Sequence, residues 1–201
     1  MSINLSKGQK INLAKDNGTK LEKICLGLNW GMIENKSFFG TRRESVDLDG
    51  SCALFDNNKN LIDVVYYGNL KTKDKTILHS GDDLDGDFEA DDIDNEIIQV
   101  DLKNLPANVE QIVFVLNSYK GQDFATVPYA RIRIFEGNFE KVDEVFATYD
   151  IANDAKFRGY VSMVMGKVYK RNDEWNFSAI GEPTLDKKLE GTIRSVQEKY
   201  L

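Results

Sequence analysis

The sequence of 201 residues predicts an all-β domain, an antiparallel β-sandwich of about ten strands closed by one C-terminal amphipathic helix. Three observations carry that expectation. Most of the chain alternates apolar and polar residues with period two, and its apolar runs are short and rich in β-branched residues. Turn residues separate these runs at short intervals. Only the last sixteen residues, DKKLEGTIRSVQEKYL, switch to helical spacing, with Leu189, Ile193, Val196 and Tyr200 on one stripe.

Taken in order, KICLGLNW (23–30) places Ile24, Leu26, Leu28 and Trp30 on one face of a first strand. SVDLDGSCALF (45–55) alternates Val46 and Leu48 with Asp47 and Asp49. Further strands are expected at 61–67, 75–79, 96–102, 110–118, 129–137, 144–151, 159–171 and 174–181. Asn172 and Asp173 suit a two-residue hairpin turn, and Pro106 marks a loop. One sandwich domain over 1–182 with a helical extension over 183–201, packed on the same domain, fits the length.

Composition narrows the function. The chain is 41% apolar and 29% charged, and no apolar run approaches the ~20 residues that span a bilayer. A basic start followed by an apolar stretch is also missing, so a cytoplasmic protein is expected. The net charge of −7 argues against nucleic-acid binding, which needs clustered Lys and Arg. Cys25 and Cys52 lie in strand-like apolar runs and read as free core thiols.

The acidity is local. Between 82 and 96 the chain reads DDLDGDFEADDIDNE, nine acids in fifteen residues without a Lys or Arg, and the rest of the chain carries +2. Carboxylates about 4 Å apart repel by roughly 1 to 4 kcal/mol, so the segment calls for a cation. Calcium, which takes six to eight oxygens, suits it better than magnesium, which keeps its waters. With His79 the only histidine and the cysteines apart, zinc and copper lack an N/S cluster. An EF-hand frame from Asp85 through Asp87, Glu89, Asp91 and Glu96 fails at Ala90, where the turn demands Gly, and its flanks are strands. Asp47 and Asp49 add two carboxylates pointing one way from a strand. The bland alternatives are a solvated strand face, a solvated acid run, and ion pairs with Arg42 and Arg43.

These residues resemble the TerD family of bacterial tellurium-resistance and stress proteins over nearly the whole chain. The resemblance runs through LSKGQKINL (5–13), CLGLNW (25–30) and the DLDxS stretch at 47–51. It continues in the acidic loop, which opens at HSGDD (79–83) and closes at DNE (94–96) before IIQVDL. IVFVLNSY, QDFATVPYARIRI and GKVYKRNDEWNFSAIG complete it. Departures are Asp83 for Asn, Asp85 for Thr, a longer acidic run carrying Phe88 and Ile93, and a helix beyond the family's common core.

The resemblance implies a sandwich that binds calcium, commonly two ions, at one end. By position it implicates Asp47, Asp49, Asp82, Asp83 and Glu96 first, then Asp94, with Asn29 and Asn69 as supporting oxygens. Asp85, Asp87, Asp91 and Asp92 rank behind them, and Glu89 is left out. The expected function is a non-enzymatic calcium-binding module of a stress-response and tellurite-resistance system, acting through other stress-response proteins, membrane-associated ones among them. Two other classes remain open. One is a metal-dependent phosphoester hydrolase using His79 with Arg131 or Arg133. The other is calcium-dependent membrane attachment with Phe88 inserting, against which the chain lacks a strong basic cluster.

Overall fold

The computed structural model describes residues 3–15, 17–38, 40–150 and 155–201. Two six-stranded sheets face each other. The first runs β1 (Ile3–Asn4), β12 (Val142–Asp150), β11 (Ala130–Gly137), β3 (Lys23–Trp30), β9 (Glu96–Asp101), β8 (Ile77–His79). The second runs β2 (Lys10–Asn12), β14 (Glu174–Thr184), β13 (Ser162–Arg171), β10 (Gln111–Ser118), β6 (Leu48–Phe55), β7 (Leu61–Val65). All pairings within the two sheets are antiparallel except β1 with β12.

Alternation decides which side chains fill the space between the sheets. Ile24, Leu26, Leu28 and Trp30 of β3 are each no more than 2% exposed and meet Leu48, Leu54, Phe114 and Leu116 from the other sheet. The second sheet is apolar on its outer face as well. There Ala53, Phe55, Val113, Val115 and Val164 pack against Ile193 and Val196 of α1 (Leu189–Lys199), so the helix stripe read from the sequence meets a sheet surface. Both cysteines are buried and free, and burial pushes the Cys25 thiol up to about 12.

The hairpin between β13 and β14 turns through Asn172 (φ 52°) and Asp173 (φ 59°), the two left-handed residues of a type I′ turn. Several boundaries differ from the sequence reading. The strand expected from residue 45 is regular only from Leu48, because Val46 bonds to the acidic loop rather than to a neighbouring strand. Those expected at 61–67, 75–79 and 159–171 also begin or end later or earlier in structure, while β14 continues three residues past 181. Ile151, placed in a strand by the sequence, lies outside the described residues. A short two-stranded hairpin, β4 (Ile33–Ser37) with β5 (Gly40–Glu44), has no counterpart in the apolar pattern and stands apart from both sheets. No helix among the described residues is long and apolar enough to cross a membrane.

Candidate metal centre

The acidic loop joins β8 to β9 at one end of the sandwich. Main-chain hydrogen bonds fix its course. Asp87 N–H donates to Trp30 O (2.9 Å), Met32 N–H to Asp87 O (3.0 Å) and Val46 N–H to Asp85 O (2.8 Å). Gly86, at φ +74°, passes so close to the Trp30 indole that a Cβ would strike it.

Three carboxylates converge at the mouth of this loop. Ligating oxygens of Asp47, Asp49 and Asp82 all lie within 4.8 Å of one another. Asp47 and Asp49 are 2% and 6% exposed, whereas Asp82 is open to solvent. Asp47 Oδ1 is buried without a hydrogen-bond partner. Burial, reinforced by the charges of Glu96, Asp47 and Asp82, pushes the Asp49 carboxyl up to about 7. The donor set fits a hard cation: oxygens bound 2.3–2.6 Å from one ion are at most about 5 Å apart.

One ammonium already faces the cluster. Lys120 Nζ lies 3.6 Å from Asp47 Oδ2 and donates to Leu84 O at 3.0 Å. Burial raises the Asp47 pKa, and Lys120 opposes that rise.

The other acids have different work. Asp83 Oδ1 accepts from the N–H groups of Asp85 (3.0 Å) and Gly86 (2.9 Å), which makes it a turn residue. Glu96 is fully buried beneath the loop, where its Oε2 accepts Gly50 N–H at 2.7 Å and its Oε1 accepts Asp83 N–H at 3.4 Å. Gly81 N–H donates to His79 Nδ1 (3.1 Å), leaving Nε2–H to face Gly50 O at 3.0 Å with Glu96 Oε2 at 3.6 Å. Burial lowers the His79 pKa, but Glu96 outweighs it and the net shift is upward.

Asp87 is held by amides and a phenol. It accepts from Asn29 Nδ2 (2.7 Å), Asn95 Nδ2 (2.9 Å) and Tyr129 Oη (3.1 Å). Asn29 thus turns its amide nitrogen to the loop, and the same nitrogen donates to Ile93 O. The far half of the loop is neutralised by β11. Arg133 Nε lies 2.8 Å from Asp94 Oδ1 and Arg131 Nη1 lies 3.5 Å from Asp92 Oδ1. Asp94 sits above Gly27, where any Cβ would fall inside its carboxylate. Asp91 Oδ1 caps Ile93 N–H, Asp85 and Glu89 are exposed, and Asn69 donates to Val64 O in the turn after β7.

Of the twelve residues implicated by sequence, the structure brings the carboxylates of Asp47, Asp49 and Asp82 together and surrounds them with Asp83 and Glu96 as supports. Among the described residues it is the only such acidic group. The sequence reading does not single out Asn95 or Lys120. Asn95 Oδ1 accepts Trp30 N–H at 2.8 Å while its amide reaches Asp83 and Asp87. Isolated polar residues of this kind carry no spacing signal.

The family model described as the TerD domain matches residues 1–195, from the N-terminal strands into α1. The chain belongs to the TerD family. Stress response protein SCP2 of Bacillus subtilis (strain 168) is 33% identical, over 96% of this chain and 98% of that protein. Tellurium resistance protein TerZ of Serratia marcescens is 31% identical, over 89% of each chain. A crystal structure of a homologue of telluride resistance protein (TerD) from Streptomyces coelicolor A3(2) superimposes with a TM-score of 0.64 at 14% identity, over 85% of this chain and 94% of that one. The sandwich is therefore the TerD fold.

Proposed function

We propose that this TerD-family protein is a non-enzymatic calcium-binding module of a cytoplasmic stress-response and tellurite-resistance system, acting through protein partners. The observation that carries the reading is the convergence of Asp47, Asp49 and Asp82, two of them buried and one oxygen unpartnered. Two buried carboxylates side by side are costly without a counter-charge, and a divalent oxygen-loving ion supplies it. One ion fits these oxygens directly. A second, which the family resemblance implies, has to displace Arg133 from Asp94 or the amides from Asp87.

Hydrolysis is the weaker reading. His79 is buried, with both ring nitrogens engaged by the backbone, and Arg131 and Arg133 are occupied by loop acids. The one histidine is thereby held to the backbone rather than offered to a water at the carboxylate cluster. A calcium-ordered loop instead offers a firm surface to another protein.

The test is thermal unfolding of the full chain against calcium. Binding to the folded state alone stabilises by RT ln(1 + [L]/Kd), about 2.7 kcal/mol at a hundredfold excess over Kd. An upward Tm shift that Asp49→Asn abolishes is expected, and no shift at millimolar calcium overturns the reading.

A further inference from the structure

Asp47 and Asp49 project from the outer face of the second sheet, the face that α1 covers, rather than into the sandwich. On β6 the row continues through Ser51 to Ala53 and Phe55, and on β10 Asn117 lies opposite Asp49. The helix seals the apolar half of this surface through Ile193 and Val196, and reaches the polar half where Thr192 Oγ1 accepts from Asn117 Nδ2 at 3.0 Å. Under the start of α1 the polar half is left beside a cleft of about 680 Å³ with Asp49 and Asn117 in its lining. That size suits a small organic ligand.

The Asn117 amide nitrogen is bonded to Ser162 Oγ (2.7 Å) and Thr192 Oγ1, but other polar atoms there lack partners. Among the described residues, five buried side-chain atoms accept or donate no hydrogen bond: Asp47 Oδ1, Ser51 Oγ, Asn117 Oδ1, Thr184 Oγ1 and Asp186 Oδ2. Asn117 is 6% exposed and lines the cleft, while Thr184 and Asp186 line an adjoining hollow of about 450 Å³. Tyr119 and Lys187 belong to both spaces.

The walls have complementary chemistry. On one side Tyr66, Tyr67 and Tyr119 form a continuous edge-to-face series, with ring centroids 5.3 Å and 5.9 Å apart. Tyr67 and Tyr119 are 40% and 66% exposed, so both side chains are reachable from the cleft they line. On the other side stand Lys187 and Lys188, with Glu190 beside them, and the N-terminus of α1, whose cap residue Lys188 makes no side-chain cap. Ammonium groups and uncapped N–H groups both favour an anion.

The geometry points to a small-molecule site here for a planar aromatic ring bearing a phosphate group. The ring lies against the tyrosines, and the phosphate sits between the Lys187 and Lys188 ammonium groups and the cation held by Asp47, Asp49 and Asp82. The bridging cation rests on the calcium reading above; the tyrosine and lysine walls do not. Without the cation the Asp49 carboxylate repels the phosphate, so ligand and calcium bind cooperatively.

Calorimetric titration of the full chain with 1-naphthyl phosphate tests this, with calcium binding followed separately. Binding at least tenfold tighter in calcium than in chelator is expected, with 1-naphthol and inorganic phosphate each at least tenfold weaker than the ester. Tyr119→Ala and the pair Lys187→Ala, Lys188→Ala, all at exposed positions, should each weaken the ester tenfold while leaving calcium affinity within twofold. Calcium binding without ester binding overturns the cleft alone. Inorganic phosphate binding as tightly as the ester, or an ester indifferent to both variants, also overturns it. Ester binding that needs the tyrosine and lysines in a chain that takes no calcium upholds the walls and overturns the calcium reading with its bridge.

Discussion

Lys120 Nζ stands 3.6 Å from Asp47 Oδ2, so the carboxylate cluster carries its own monovalent counter-charge. The ammonium is half exposed, and its hydrogen bond to Leu84 O also ties it to the acidic loop. It competes with any cation for the same oxygen. Lys120→Met should therefore tighten calcium binding by up to about fivefold, the factor that about 1 kcal/mol of an exposed pair represents. Calcium titration by calorimetry reads it. Weaker binding in the variant shows instead that Lys120 positions the loop.

Acid–base behaviour without calcium should run opposite to that of most proteins. The Asp49 carboxyl is raised from 3.8 to about 7 in the folded state by burial, so the folded chain holds its proton more tightly than the unfolded chain. Stability should then fall as pH rises from about 4 to about 7, by up to about 4 kcal/mol for the shift of three units. His79, raised by Glu96, acts with the same sign, because stability gained by its protonated form is lost as pH climbs past its folded value. Urea unfolding in chelator across pH 5 to 8 measures the slope. Calcium, and separately Asp49→Asn, should flatten it.

Arg133 and Asp94 form a shielded pair, with side chains 15% and 2% exposed. Removing one partner leaves a buried charge, which costs about 3–5 kcal/mol. Arg133→Met should lower stability by that order in chemical denaturation, and adding Asp94→Asn to it should restore part of the loss. A double variant no better than the single one rules out the pair as the cause.

Asn95 binds the loop to both β3 and itself, through Trp30 N–H, Asp83 and Asp87. Asn95→Ala strands a partly buried backbone donor and should cost about 1–3 kcal/mol. Because the loop then loses its frame, calcium affinity should fall as well. An unchanged Tm would show that solvent satisfies the Trp30 amide.

Much of the sandwich was legible because burial and alternation coincide. The row Ile24, Leu26, Leu28, Trp30 lies on the inner face of a central strand, and Asn172 with Asp173 carries the left-handed turn in its residue types. The hairpin of β4 and β5 was not legible, since IENKS and GTRRE pair through backbone and remain largely exposed, leaving no apolar period to read. At the site, Asp47, Asp49 and Asp82 could be found from charge density and i, i+2 spacing. The division of the remaining acids could not. Whether Asp94 faces a cation or Arg133 depends on β11 lying beside β3, a relation between residues over a hundred positions apart in the chain at Cys25 and Phe135.

The backbone bonds at 85–87 have a mechanical meaning. Sandwich sheets adhere through close-packed side chains. Here the segment between Asp85 and Asp87 is bonded to Trp30 and Met32 at the end of one layer and to Val46, two residues ahead of β6, in the other. The layers are therefore tied by the main chain at this end, while at the opposite end the Trp175 indole N–H donates to Leu102 O (3.2 Å) across them. The oxygens of Asp47, Asp49 and Asp82 gather beside this tie, so the spacing of the cluster is set by the backbone of both layers at once.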